Sequence, residues 1–145
     1  MFNPLLDNSM NPQTHFYSVM VKELHLDSYG HMNNAVYLEL FEDARWDLIT
    51  NNGYGFEKIH ATKLGPTILA VEIQFKKELR LRQQVVIETQ LQSYEKKIGK
   101  ILQVMKNEAG EVCCDALFTF GLFDMVQRKL VPPTEDWKRA LGLNL

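Results

Sequence analysis

The sequence has few of the features that mark membrane, secreted or nucleic-acid-binding proteins. Its 145 residues include two cysteines, too few for the disulfide framework of a small secreted domain. No apolar run reaches membrane-spanning length, and the first residues lack the basic start and apolar core of a signal peptide. A formal charge of −2 gives no general attraction for nucleic acid. We therefore expect a cytoplasmic protein that binds neither membrane nor nucleic acid.

The composition is that of an ordinary globular domain. Apolar residues make up 46% of the chain and charged residues 23%, a balance that excludes a disordered chain. Residues 1–14 show no periodicity and are predicted to form a flexible arm, whereas residues 15–145 are predicted to form one domain. No histidine has metal-ligand spacing, so we expect neither a metal nor a cofactor. The adjacent Cys113 and Cys114 are predicted to be buried thiols.

The order of the predicted elements is a strand, a long helix, four more strands and a short terminal helix. The helix is indicated by apolar residues at spacings of three and four, namely Tyr37, Leu40, Phe41, Ala44 and Leu48. Asn33 or Asn34 is suited to cap it, and Gly53 to end it. Alternating or apolar segments indicate strands at 15–26, 69–76, 85–92, 98–105 and 112–123.

This order predicts an α+β fold in which one helix covers one face of a curved, five-stranded antiparallel sheet. The opposite face or an edge of the sheet then requires a partner. A homodimer or a homotetramer is expected, because a symmetric contact buries the same patch on each copy.

The candidate site is the segment between the first strand and the helix, Asp27-Ser28-Tyr29-Gly30-His31-Met32-Asn33-Asn34, referred to below as the motif. Gly30 allows a sharp turn, and the backbone N–H groups at the helix start are expected to form an oxyanion hole. Thioester hydrolysis needs an attacking oxygen and such a hole, because the thiolate of coenzyme A already leaves well. One carboxylate, that of Asp27, is sufficient as nucleophile or as general base.

The stretch from Leu26 to Arg45 resembles the opening signature of the 4-hydroxybenzoyl-CoA thioesterase branch of the hotdog superfamily. In that branch Asp, Gly, His-x-Asn-Asn, Tyr and Glu-x-Ala-Arg recur in this order. The resemblance implies a hotdog fold, in which the sheet wraps around the long helix. It also implies a thioesterase that acts on acyl-CoA or acyl-carrier-protein substrates at a dimer interface.

The resemblance also implies roles for individual residues. It places the catalytic carboxylate at Asp27, with His31 and Asn33 as supporting catalytic groups. The positions expected to contact substrate are Tyr29, Gly30, Asn34 and Tyr37. Branches that carry the carboxylate inside the long helix would use Glu39 or Glu42 instead. On the same helix, Glu42 and Arg45 are expected to form an ion pair.

Four cations lie close together after the second predicted strand: Lys76, Lys77, Arg80 and Arg82. They are expected either to be a solvated strand end or to hold the phosphates of coenzyme A. Two other functions remain open. A non-catalytic acyl-CoA sensor would share the fold but would not need the carboxylate. An enoyl-CoA hydratase would pair Asp or Glu with His, with sequence spacing that differs from that of Asp27 and His31.

Overall fold

A six-stranded antiparallel sheet surrounds one long helix in the computed structural model, which describes residues 11–145. The strands are β1 (His15–Met20), β2 (Leu64–Phe75), β3 (Gln84–Glu95), β4 (Ile98–Asn107), β5 (Val112–Asp124) and β6 (Lys129–Val131). The helices are α1 (Asn34–Asn51), α2 (Phe56–Thr62) and α3 (Glu135–Ala140), and a 3₁₀ turn spans Glu23–His25. This is the predicted α+β hotdog architecture, with one short strand added.

The sheet has the order β1-β3-β4-β5-β2, with β6 paired to β5. Register shifts interrupt the pairings of β2 with β5, β3 with β4 and β4 with β5. Such irregularities bend a strand and increase its twist, which lets the sheet curve. Because β2 is the last strand in this order, one of its edges has no partner among the strands of residues 11–145.

Helix α1 begins and ends where the sequence predicts. The side chain of Asn33 accepts a hydrogen bond from the Ala35 N–H, and Gly53 follows the helix with a φ of 85°. Its buried face packs into the core of the sheet through Val36, Tyr37, Leu40, Phe41, Ala44, Leu48 and Ile49. Packing along this whole face fixes the position of the motif, which leads directly into the helix.

Four elements differ from the prediction. Strand β1 ends at Met20, because the chain turns into the 3₁₀ helix. Strand β2 starts at Leu64 rather than at residue 69. Helix α2 and strand β6 were not predicted, since each is too short to produce a clear hydrophobic period. The alternation of apolar and polar residues along β2 predicts one buried face, and this is wrong for the single chain, because the side chains of Leu69, Val71 and Phe75 are exposed.

The N-terminal segment contacts the rest of the domain where it is described. Residues 1–10 of the predicted arm lie outside the described residues. The Gln13 N–H donates to the Gly142 carbonyl at 2.9 Å, and the Gln90 side chain donates to the Pro12 carbonyl at 3.2 Å. Within residues 11–145, no helix is long and apolar enough to cross a membrane.

Candidate active site

The motif forms a tight loop fastened to the loop between β2 and β3. A backbone bridge pairs Leu26 with Met32, and a second pairs His31 with Arg80. The Met32 N–H donates to the Leu79 carbonyl at 2.9 Å. Gly30 adopts a φ of 82°, a conformation in which any side chain is strained. The loop geometry is therefore set by glycine and by residues almost fifty positions further along the chain.

Asp27 is half-buried, and its two carboxylate oxygens have different environments. Oδ1 accepts hydrogen bonds from the backbone N–H of Tyr29 at 2.8 Å and of His31 at 3.2 Å. Oδ2 has no hydrogen-bond partner among the described residues. One oxygen thus holds the loop in shape and fixes the carboxylate plane, while the other remains available to a substrate or a water molecule.

Most backbone N–H groups of the motif already have acceptors within the protein. Those of Tyr29 and His31 bind the Asp27 side chain, that of Gly30 binds the Asp27 carbonyl, and those of Met32 and Asn33 bind carbonyls outside the motif. Within the part of the chain that the structure describes, the N–H groups of Ser28 and Asn34 have no acceptor. The predicted oxyanion hole is therefore narrowed to these two donors, of which Asn34 is at the first turn of α1.

The two asparagines have separate positions. The Oδ1 atom of Asn33 is used as the cap of α1, 2.9 Å from the Ala35 nitrogen. Asn34 is exposed and begins the helix. The tyrosines also differ, since the Tyr29 side chain is 84% exposed whereas that of Tyr37 is 4% exposed. Tyr29 and Asn34 are thus on the open side of the loop, with Tyr37 beneath it.

Tyr37 supports the motif from below. Its ring packs edge-to-face on Phe75, with the ring centroids 5.1 Å apart. Burial, together with the nearby Cys114 and Cys113, raises the pKa of the Tyr37 hydroxyl to about 12, although a hydrogen bond with the Leu79 backbone opposes this shift. At neutral pH the side chain therefore stays a neutral phenol and does not act as a base.

His31 contacts a carboxylate that the sequence did not single out as a site residue. Its Nε2 atom lies 3.2 Å from Oε2 of Glu78, and the same Oε2 lies 3.2 Å from the Arg80 guanidinium. No local sequence pattern indicates that Glu78 folds onto the motif. The site therefore contains two carboxylates: that of Asp27 in the motif, and that of Glu78, which contacts His31.

The four predicted phosphate-binding cations are paired with acidic residues of this chain. Lys76 contacts Asp115 at 2.7 Å and Lys77 contacts Glu111 at 2.5 Å. Arg80 contacts Glu78, and Arg82 contacts Glu23. Only Arg80 is joined directly to the motif, through its backbone bridge with His31.

A second group of cations surrounds the β3–β4 hairpin. Lys96, Lys97 and Lys100 line an open cavity of about 630 Å³ together with Ser93, Glu95, Ile98 and Leu130. None of the three lysines forms an ion pair with another residue described by the structure. The sequence shows these lysines, but only the fold shows that they share one cavity.

An apolar cavity of about 210 Å³ opens beside the middle of α1. Its apolar wall includes Trp46, Ile68, Ile101, Phe120, Trp137 and Leu141, and two charged residues, Glu42 and Arg45, complete it. Tyr54 and Phe56, which follow α1, do not line it: Tyr54 is buried in the core and Phe56 is exposed.

Arg45, which lines this cavity, contacts Gln103 and Phe118 rather than forming the predicted ion pair. Its Nη1 donates to Oε1 of Gln103 at 2.9 Å, and its guanidinium carbon lies 4.2 Å from the centre of the Phe118 ring. The expected ion pair with Glu42 was wrong, since the two groups make no contact of that kind among the described residues. Burial lowers the pKa of Arg45 to about 10, an effect that the more distant Glu42 charge opposes.

Comparison with known proteins identifies the family of the chain. Residues 21–141 match the model of the thioesterase-like superfamily. The chain is 36% identical over 112 residues to the long-chain acyl-CoA thioesterase FadM of Escherichia coli strain K12, covering 77% of this chain and 84% of the relative. The chain belongs to the thioesterase-like superfamily, and it is an enzyme of that class.

Solved structures share the fold. The probable thioesterase YbaW of Escherichia coli has a TM-score of 0.79 and 32% identity, and the match covers 88% of this chain and 96% of that one. SAV2348 of Staphylococcus aureus, solved in complex with CoA, has a TM-score of 0.83 at 16% identity, over 92% of this chain and 85% of that one. The fold is that of the hotdog thioesterases.

Proposed function

We propose that the protein hydrolyses acyl-CoA to a free acid and coenzyme A, with Asp27 as the catalytic carboxylate. The observation that carries this proposal is the asymmetry of the Asp27 carboxylate: Oδ1 is fixed by two backbone N–H groups, and Oδ2 is available. The similarity to FadM, named a long-chain acyl-CoA thioesterase, supports acyl-CoA as the substrate class. Acyl-carrier protein is the second candidate carrier and is tested by the same assay.

The chemistry requires one attacking oxygen and one place for the developing negative charge. Asp27 either attacks the thioester carbon itself or takes a proton from a water molecule that attacks it. The carbonyl oxygen becomes an oxyanion, and of the two donors left without an acceptor the Asn34 N–H is at the positive end of α1. Collapse of the tetrahedral intermediate breaks the carbon–sulfur bond and releases the thiolate. In the nucleophilic route, water then hydrolyses the resulting anhydride.

His31 and Asn33 complete the proposed catalytic group. His31 is held at the surface of the loop by Glu78, and it is placed to exchange a proton with the leaving thiolate or with solvent. Asn33 acts by capping α1, because loss of the hydrogen bond that its Oδ1 accepts from the Ala35 N–H would move the Asn34 N–H. Tyr29 and Gly30 on the open side and Tyr37 beneath them form the proposed substrate contact surface.

A homodimer is proposed from the exposed edge of the sheet. Strand β2 exposes Ile68, Leu69, Val71 and Phe75, and its outer edge is unpaired in the single chain. Helix α1 also exposes Leu38 and Trp46, and Trp46 lines the same cavity as Ile68. A long apolar edge strand is normally covered, and a second copy paired antiparallel along β2 would cover both surfaces.

This pairing would also complete the site. The Phe75 end of β2 lies against Tyr37 beneath the motif, and the Ile68 end lines the 210 Å³ cavity. Antiparallel self-pairing brings opposite ends of the two strands together. Each motif would then face the cavity of the other subunit, which provides a place for the acyl chain.

The decisive experiment compares Asp27→Asn with Asp27→Ala. Asparagine keeps an oxygen that can accept the Tyr29 and His31 N–H bonds, so its stability should stay near that of the unmodified protein. Its rate of thiol release from a panel of acyl-CoAs should fall by at least about a hundredfold. Alanine should lose both activity and about 1 kcal/mol of stability, as in the loss of a helix cap. Ser28→Ala, an exposed change in the same loop, is the matched control.

The possible outcomes separate the candidate functions. Equal rates for the unmodified protein and Asp27→Asn would refute the catalytic assignment. If activity is lost in Glu39→Gln or Glu42→Gln instead, the carboxylate lies inside α1. Tight acyl-CoA binding without hydrolysis would favour the sensor, and hydration of an enoyl-CoA would favour the hydratase. A single turnover in ¹⁸O-labelled water would label Asp27 only if it is the nucleophile.

Dimerisation has its own test. Val71→Lys places a charge on the exposed edge of β2 and should convert the dimer to monomer in light-scattering measurements. Leu24→Lys, another exposed apolar position outside β2, should leave the mass unchanged. A Val71→Lys variant that stays dimeric would refute pairing through this edge.

A further inference from the structure

The cavity of about 210 Å³ beside α1, proposed above to hold the acyl chain, has the guanidinium of Arg45 in an otherwise largely apolar wall. Arg45 is partly buried, and of its donor nitrogens only Nη1 has a described acceptor, at Gln103. Arg45 lines the cavity, and no buried side-chain nitrogen or oxygen in the described part of the chain lacks a partner, so the remaining Arg45 donors are not sealed in the core. A desolvated cation is costly, and an apolar side chain would fill the same wall more cheaply.

The structure holds this guanidinium rigidly. The Gln103 amide that accepts from Arg45 donates in turn to the Phe41 carbonyl and to the Thr89 hydroxyl, each at 3.0 Å. Gln103 is fully buried, so its orientation is fixed by three hydrogen bonds. The Phe118 ring supports the other side of Arg45 at 4.2 Å. The open donors of Arg45 therefore point in a fixed direction, as a recognition group requires.

Glu42 provides the complementary group. It lines the same cavity, one helical turn before Arg45, and it is exposed and forms no ion pair with any described residue. The cavity therefore presents a fixed donor and a nearby acceptor that do not neutralise each other by direct contact. A hydroxyl both accepts and donates a hydrogen bond, so it satisfies both groups. A carboxylate would satisfy Arg45 but would be repelled by Glu42.

We propose that the cavity selects hydroxylated acyl groups, the chain hydroxyl accepting from Arg45 and donating to Glu42. This inference rests on the proposed thioesterase function and specifies its substrate class. The volume of about 210 Å³ exceeds that of the cavity of about 150 Å³ that admits benzene. It therefore has room for several methylene groups in addition to the hydroxyl.

The test measures the ratio of kcat/KM for a hydroxylated acyl-CoA to kcat/KM for the plain acyl-CoA. Values of kcat/KM are compared for dodecanoyl-CoA and for chain-matched forms that carry one hydroxyl at a middle or terminal carbon. The unmodified protein should prefer at least one hydroxylated form by about tenfold, the expected effect of a hydrogen bond to a charged group. Arg45→Met should abolish the preference and Glu42→Ala should reduce it. The neighbouring exposed variant Asp43→Ala should keep it.

Each result has a defined meaning. A ratio near one for every hydroxyl position would overturn the inference while leaving the hydrolase intact, because dodecanoyl-CoA would still be cleaved. An equal fall for all substrates in Glu42→Ala, with the ratio unchanged, would assign Glu42 to catalysis and also overturn it. Should Arg45→Met fail to fold, Glu42→Ala alone decides, since Glu42 lies outside the core.

Failure of the proposed function itself would be seen differently. If no acyl-CoA is cleaved, the selectivity is measured by calorimetry with dodecanoic acid and its hydroxylated forms. Tighter binding of a hydroxy acid, lost in Glu42→Ala, would support the inference without hydrolysis. Tighter binding of plain dodecanoate, lost in Arg45→Met, would show that Arg45 holds a carboxylate and would overturn it.

Discussion

The Nε2 atom of His31 lies 3.2 Å from Oε2 of Glu78, which links the motif to the loop that follows β2. Both side chains are partly exposed, so the direct coupling should be less than about 1 kcal/mol. We expect Glu78→Ala to lower kcat/KM by two- to fivefold, by releasing the ring, and Glu78→Gln to lower it less. The loss should shrink at about 1 M salt, where the Debye length is near 3 Å.

The control for this prediction is Glu23→Ala. Glu23 is also an exposed acid paired with a loop arginine, Arg82, but it does not touch His31. Its loss should leave kcat/KM unchanged. In a His31→Ala background the effect of Glu78→Ala should vanish, and a persistent effect would contradict the proposed link.

The His31–Glu78 contact is an example of what the sequence alone does not predict. Local spacing was enough to predict α1, the motif and its glycine turn, because each depends on residues within one or two turns. The contacts of His31 with Glu78 and of Arg45 with Gln103 join positions far apart in sequence, and they depend on strand register. No local pattern encodes such register when both partners are polar.

The prediction of a buried face on β2 was wrong for a different reason. Alternation along Leu69, Val71 and Phe75 predicts a buried face, whereas the single chain leaves these side chains exposed. Apolar alternation indicates that a surface is to be covered, but it does not say whether its own chain or a second copy covers it. Similarly, Gly30 predicts a tight turn but not which N–H groups that turn uses internally.

Replacement of Gln103 by leucine should destabilise the core. The substitution removes the acceptor of Arg45 and the donor to the Phe41 carbonyl and the Thr89 hydroxyl. Loss of a buried hydrogen-bonding partner costs about 1–3 kcal/mol, and more where a charge is involved. We expect Gln103→Leu to lower the free energy of unfolding in urea by about 3 kcal/mol. Thr89→Val, which removes one acceptor only, should cost about 1 kcal/mol, and equal stability of all three proteins would contradict the network.

Stability should fall at alkaline pH because of a buried thiol. Burial, with smaller contributions from Asp115 and Cys113, raises the pKa of Cys114 from 9.0 to about 12. Between these values the unfolded chain loses a proton that the folded protein keeps, so the free energy of unfolding falls as pH rises. Between pH 9 and 10 the loss should be about 1 kcal/mol. Above pH 10 Tyr37 adds to the loss and Arg45, whose pKa is lowered, opposes it.

Urea unfolding at pH 8, 9 and 10 measures how steeply the free energy of unfolding falls as the pH rises, which is called the slope below. Cys114→Ala should lower stability at every pH but flatten its decline. Ile101→Val, a core truncation without a titrating group, should lower stability by a similar amount at each pH and keep the slope of the unmodified protein. A Cys114→Ala protein with an unchanged slope would assign the alkaline loss to other groups.

The two groups of cations can be separated by their effects on KM. Arg80 is bonded through its backbone to His31, and Arg82 is in the same loop, so both are near the proposed thioester site. We expect Arg80→Ala with Arg82→Ala to raise KM for acyl-CoA by about fivefold while kcat stays nearly constant, since phosphate contacts act equally on ground and transition states. The rise should diminish with salt. Lys96, Lys97 and Lys100 surround the hairpin at the opposite end of β3, so their combined change to alanine should leave KM unaltered. The reverse pattern would place the phosphates at the hairpin.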